Sequence, residues 1–172
     1  DKRRLSGAEV LEQFRAATAA RLEALDAMTQ ADFDAPSWTP AGPDETYGRF
    51  MRIRAYDAFQ HEHDTRLALG QPTRPDHAAI RSGLDETEPA LGYIVGRRAG
   101  LPAGTSVRIH LTGPVAASYC VEVAERATVV DAISGEPTVE VTLDALLFLR
   151  LTGGRLAGEG LIGSAVHLSG DH

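Results

Sequence analysis

Three titratable side chains fall close together in this sequence: Asp57, His61 and Asp64. Their spacing of four and three puts them on one face of a helix. The stripe extends back to Phe50 and Ile53 and forward to Ala68, so it reads as apolar at one end and ionisable at the other. If it faces a core, two carboxylates and an imidazole are buried, which is costly unless something pairs them. A divalent metal ion is one such partner. Asp57 and His61 at i, i+4 can both reach one ion from a single helix face. A catalytic zinc usually takes three protein ligands and a water, so a third donor has to come from elsewhere. Arg66, beside Asp64, reads either as an orienting ion-pair partner or as half of a surface pair.

A competing stripe lies on the adjacent face: Tyr56, Phe59, His63 and Leu67. If that one is the core stripe, Asp57 and His61 are an i, i+4 pair at a solvated edge. The run His61-Glu62-His63 is not the metalloprotease signature, because position 65 is Thr65 rather than histidine. His77, His110, His167 and His172 read as structural or surface residues. Cys120 sits in an apolar run and reads as core rather than nucleophile. No G-x-S-x-G, Walker A or G-x-G-x-x-G pattern is present.

The elements that must hold these residues divide by period. Ser6, with Glu9 three residues on, opens a helix over 6–28 with the stripe Leu11, Phe14, Thr18, Leu22 and Leu25. Residues 32–43 hold Pro36, Pro40, Gly42 and Pro43 and read as a loop, pinned to its domain by Trp38. A second helix is expected over 44–69, ended by Gly70 and Pro72. A third is expected from an Asp76 cap to about Arg98, kinked at Pro89. After Leu101 the period becomes two. Strands are expected at 106–111 and 117–123 as a hairpin, then at 127–131 and 138–141. A helix capped by Thr142 follows over 143–151, and a last strand over 161–169. The fold class is α+β with two domains: a helical part over 1–100 and a small α+β part over 101–172.

Composition narrows the partners. The chain has 172 residues, a formal charge of -7 and one cysteine. Residues 1–100 carry 13 basic and 16 acidic side chains, and residues 101–172 carry 4 and 8. Neither part has the positive excess that nucleic acid or an anionic membrane attracts. A single cysteine excludes an internal disulfide, and no apolar run is long enough to span a bilayer. A reducing cytoplasm is the expected compartment, and a homo-oligomer is left open.

Two segments carry a resemblance. The run from Arg54 to Gly70, RAYDAFQHEHDTRLALG, is similar to the second metal-ligand helix of the mycothiol-dependent maleylpyruvate isomerase family. The run from Val139 to Arg155, VEVTLDALLFLRLTGGR, with Val166 to Asp171, is similar to the C-terminal domain found in many members of that family, which is related to sterol carrier protein. The resemblance covers most of the chain. It implies a partial DinB-like helical bundle followed by a sterol-carrier-like domain. It also implies a divalent metal, zinc first among them, on Asp57 and His61, where the family usually has Glu in place of Asp57. Asp64 and Arg66 would support the ligands or touch the thiol. The cofactor would be mycothiol, its thiol activated by the metal for attack on a small electrophilic substrate in isomerisation or S-transfer. The acceptor pocket would lie between the helical and α+β parts. The family's early histidine ligand has no match here, and its first helices would precede Asp1 and its last would follow His172, so the chain is expected to be truncated at both ends. The alternative is a non-catalytic module that binds an apolar ligand or a partner subunit and keeps a degenerate metal site.

Overall fold

The computed structural model describes residues 4–171, so Lys2 and His172 lie outside the described residues. The chain divides into two compact units, Asp1–Met51 and Arg52–His172, a boundary some fifty residues before the one expected at 100/101.

In the first unit, α1 (Gly7–Asp26) opens with the expected capping box. Ser6 N–H donates to Glu9 Oε2 at 2.7 Å, and Glu9 N–H donates to Ser6 Oγ at 3.3 Å. The Ser6 hydroxyl, which also donates to Glu9 Oε2 at 2.7 Å, and then the Ser6 N–H hold the Glu9 carboxyl below its ordinary value. No residue of α1 is buried, and Leu11, Phe14 and Leu22 of its apolar stripe are exposed. The expected loop contains more structure than its prolines suggest. Thr29 and Asp32 form a second capping box for α2 (Gln30–Asp34). A two-stranded ribbon follows, β1 (Pro36–Thr39) and β2 (Gly42–Thr46). Prolines are tolerated here because a lone ribbon has edges on both sides. Trp38 does not pin the segment, being 68% exposed. Along β1 the side chains alternate, and the buried position is its neighbour Thr39. The aromatic contacts of this unit run instead through Phe33, Tyr47 and Phe50.

Helix α3 (Tyr47–Ala68) begins three residues later than expected, because 42–46 is paired in the ribbon. The boundary between the units falls inside it. Within the second unit, Gln60 and Asp64 of α3 bond to the C-terminal helix, which is why 52–98 belongs with the sheet. Asp76 caps α4 (His77–Thr87) by accepting from Ala78 and Ala79 N–H groups. Pro89 breaks regularity as expected: a 3₁₀ turn over Glu88–Ala90, one α-turn, α5 (Leu91–Tyr93), and a π-turn over Ile94–Arg98.

The sheet has five strands in the order β5-β4-β3-β6-β7. They are β3 (Ser106–Thr112), β4 (Ala117–Val123), β5 (Ala127–Val130), β6 (Val139–Asp144) and β7 (Val166–Gly170). β3 pairs β6 in parallel and every other neighbour is antiparallel. Alternation places Val107, Ile109, Leu111, Val121, Val123, Val139 and Leu143 in the core, with Ile80, Leu84, Leu91, Val95, Phe148 and Leu149 packed among them. Tyr119 shares that face. Burial, with the charges of Glu88 and Asp85, pushes its hydroxyl pKa up to about 12. Helix α6 (Ala145–Thr152) is capped by Asp144 rather than by Thr142, which stays in the β6 ladder.

Candidate functional site

Helix α3 resolves the choice between its two stripes. Phe59, Gln60 and His63 are its buried residues. Asp57 and His61 lie on its solvated side, with side chains 45% and 61% exposed, so the interior orientation expected for them is corrected. The reason is packing on α6. Tyr56 and Gln60 both donate to the Leu149 carbonyl, at 3.1 and 2.7 Å, and this turns their side of α3 inward.

His61 stands between the two carboxylates. Its Nε2 is 3.4 Å from Asp57 Oδ1 and its Nδ1 is 3.5 Å from Asp64 Oδ2. One ion on Nε2 can therefore meet Asp57 but not Asp64, which faces the opposite ring nitrogen. Asp64 is committed elsewhere. Arg150 Nη1, in a nearly buried side chain, donates to Asp64 Oδ1 at 2.7 Å, and Arg155 Nε stands 3.5 Å from Oδ2. The Arg150 hydrogen bond holds the Asp64 carboxyl below its ordinary value against partial desolvation, and the charges of Arg150, Arg155 and His61 add to the effect. Of the two readings of Arg66, the surface pair is the one the structure forms. The arginine reaches back one turn to Glu62 at 2.8 Å, the i, i+4 geometry of a surface pair. Among the described residues no group of three or more His, Cys, Asp and Glu side chains is placed to hold a metal ion. Two donors on an open helix face fall short of the set that a resident catalytic metal requires.

The remaining histidines separate into distinct environments. His77 starts α4 and is exposed. His110 and His167 lie on the outward face of the sheet, each opposite Thr142 in the register. There Arg108 donates to Glu140 at 2.9 Å, His110 Nε2 is 3.7 Å from the same carboxylate, and Ser118 Oγ is 3.4 Å from His110 Nδ1. Cys120 also faces outward, half-buried opposite Arg108, rather than inward with Val121. His63 is the buried one. Its Nδ1–H donates to the Phe59 carbonyl at 2.9 Å, and its Nε2 has no hydrogen-bond partner within the described residues.

A shallow surface hollow of about 490 Å³ borders His61, Glu62, Arg66 and Leu69 on α3. A larger cleft of about 800 Å³ opens elsewhere in the second unit, between the 92–97 segment, residues 101–103 and the β4–β5 turn. Leu101, Ala103, Val123 and Ala127 give it apolar surface, while Tyr93, Arg97, Glu125 and Arg126 give it a polar rim. Its walls approach closely because two positions lack side chains. A Cβ on Gly92 would stand 2.4 Å from the Ala127 carbonyl oxygen, and one on Gly96 would stand 2.7 Å from Ala127 Cβ. The i, i+4 glycines thus let a helical turn rest directly on β5. The cleft is bordered by residues on both sides of position 100, all within the second unit, and by none of Asp57, His61, Asp64 and Arg66. Its rim residues were not singled out from the sequence. The available signals were the Gly92-x-x-x-Gly96 spacing and adjoining Arg97 and Arg126, in a chain whose last 72 residues hold only four basic side chains.

No family model matches the sequence, and no curated protein matches it. Among solved structures, the chain is similar to Sterol Carrier Protein 2 from Yarrowia lipolytica in its apo form, with a TM-score of 0.36 and 17% identity over 54% of this chain and 74% of that one. It is also similar to a UbiJ-SCP2 ubiquinone synthesis protein, with a TM-score of 0.31 and 22% identity over 55% of this chain and 81% of that one. Neither is a DinB-like bundle or a maleylpyruvate isomerase. At these TM-scores the likeness assigns no activity. Among the described residues no helix is long and apolar enough to cross a membrane.

Proposed function

We propose that the Arg52–His172 unit is a non-catalytic binding module for a ligand with an apolar body. The observation that carries this reading is the cleft of about 800 Å³ whose walls include Leu101, Ala103, Val123 and Ala127. A concave site of that size, with apolar patches in a largely polar lining, has room for a small molecule that presents both kinds of surface. Gly92 and Gly96 support the reading because they fix the spacing of the two walls through backbone contact. The test is fluorescence titration of the full chain with the uncharged probe N-phenyl-1-naphthylamine. Saturable, blue-shifted emission is expected. It should be weakened about tenfold or more by Gly92→Ala, which moves one wall. Absence of saturable binding by the unaltered protein would overturn the reading.

A second reading keeps Asp57 and His61 as two donors to a divalent ion in a mycothiol-dependent transferase or isomerase. The observation in its favour is their approach to 3.4 Å on an accessible helix face. It requires a further donor beyond the described residues. One equivalent of tightly held zinc, lost in Asp57→Ala and in His61→Ala, would bring it forward.

A further inference from the structure

We infer that the cleft of the second unit selects a monoanionic aromatic ligand, of the aryl carboxylate class. This rests on the reading of the unit as a binding module.

The charge pattern comes first. Arg97 and Arg126 both line the cleft, and the guanidinium of neither makes a hydrogen bond or ion pair within the described residues. Gly96 rests on Ala127, and the residues next in sequence to that contact, Arg97 after the glycine and Arg126 before the alanine, both border the cleft. Two guanidinium groups bordering one cleft give it a positive potential that favours an anion. In a chain of formal charge -7, other arginines have found carboxylates: Arg66 with Glu62, Arg108 with Glu140, Arg150 with Asp64. This pair has not. Glu125 is the single carboxylate among the lining residues, which leaves the rim with one net positive charge. A monoanion balances it, and the planar fork of a guanidinium matches a carboxylate.

The backbone supports the same assignment. Residues 94–98 form a π-turn, closed by the Ala99 N–H donating to the Ile94 carbonyl at 2.9 Å. The wider turn shifts Arg97 from where a continuing α-helix would aim it, and such turns recur at functional sites. Tyr93 lies one turn earlier, lines the cleft, and is 59% exposed with no ring partner among the described aromatic contacts. A phenol ring left open beside an unpaired guanidinium offers a stacking face to an aromatic body.

The experiment compares two probes that share an aromatic body. 1-Anilinonaphthalene-8-sulfonate carries an anionic group, and N-phenyl-1-naphthylamine carries none. In the full chain, Arg97→Gln and Arg126→Gln are each expected to raise the Kd for the sulfonate about tenfold and to leave the Kd for the amine within about twofold. Both positions are exposed, so far-UV circular dichroism should be unchanged. Competition tests the aromatic part: 1-naphthoate should displace the sulfonate at about one tenth the concentration that its saturated decalin analogue needs. If both probes bind and the glutamine variants leave sulfonate affinity unchanged, the anion inference fails while the binding module stands. Equal competition by the two carboxylates overturns the aromatic assignment. If the unaltered protein does not saturate with N-phenyl-1-naphthylamine, the module reading itself fails, and this inference with it.

Discussion

His63 offers a test whose sign is diagnostic. Its side chain is fully buried, its Nδ1–H is spent on the Phe59 carbonyl, and its Nε2 lone pair meets no donor within the described residues. Leucine at this position has a similar volume and no polar atom. Removing an unsatisfied buried acceptor recovers about 1–3 kcal/mol, and the new apolar burial is worth about 1.5–3 kcal/mol. Against this stand the lost hydrogen bond at about 0.5–1.5 kcal/mol and the ring contact with Phe59, 4.3 Å between centroids, at a similar value. Imperfect shape costs up to about 1.5 kcal/mol more. The Phe59 carbonyl keeps the backbone N–H of its own helix. The midpoints leave His63→Leu more stable by about 1 kcal/mol, a rise of roughly 2–4 °C in Tm for a chain of this size. Most core substitutions go the other way by about 0.5–3 kcal/mol. Urea titration with an unchanged m-value is the assay. His63→Ala is the control and should cost at least about 2 kcal/mol through the cavity it leaves. A loss above about 2 kcal/mol for His63→Leu would refute the reasoning, because it would mean that Nε2 has a partner, an ordered water or a bound group, in the folded protein.

Further outcomes follow from the same packing. Gly92→Ala is expected to cost about 1–3 kcal/mol in urea titration, since its methyl meets the Ala127 backbone rather than a movable side chain. The double variant Asp57→Ala/His61→Ala should stay within about 0.5 kcal/mol of the parent, as both side chains are solvated, and isothermal titration with zinc should show no tight site in the parent. Asp64 links stability to acid. Its carboxyl titrates below its unfolded value, so its contribution is fully present above that value and is lost as pH falls through the folded one. Asp64→Asn should therefore flatten the fall in Tm at acid pH relative to the parent, and a fall of equal steepness in both would show that Arg150 does not depend on that charge. Leu149, fully buried where α6 meets α3, should cost about 2–5 kcal/mol on change to alanine, read by thermal unfolding.

How far the sequence could be read depended on how local the physics was. The capping box at Ser6 and the Asp76 cap are settled within four residues, and both form as expected. So is the break at Pro89, where the chain cannot continue an α-helix. The β3–β4 hairpin announces itself by alternation and by Gly113-Pro114. The Thr142 cap was misplaced because Thr142 and Asp144 are both good caps. Only the parallel pairing of Thr112 with Asp144, a contact 32 residues long-range, carries the ladder two positions further. Trp38 was misread for the opposite reason: burial is a tertiary property, and a two-stranded ribbon has little with which to cover an indole.

The α3 stripe shows why a candidate site is harder to read than a fold. Two interleaved stripes, one through Asp57 and His61 and one through Tyr56, Phe59 and His63, have the same period and differ by only a small rotation about the helix axis. Periodicity cannot choose between them. The choice is made by groups about ninety residues away: the Leu149 carbonyl, which accepts from Tyr56 and Gln60, and Arg150, which donates to Gln60 and Asp64. Once Arg150 is nearly buried, a carboxylate has to reach it, and Asp64 is the one on the α6 side. That commitment fixes the rotation of α3, leaves Asp57 and His61 to solvent, and explains Asp64 as an anchor for Arg150. The same reasoning draws attention to Arg97 and Arg126. In a chain with more carboxylates than cations, two arginines that line one cleft without an ion-pair partner among the described residues give that cleft a potential of the opposite sign to the chain as a whole.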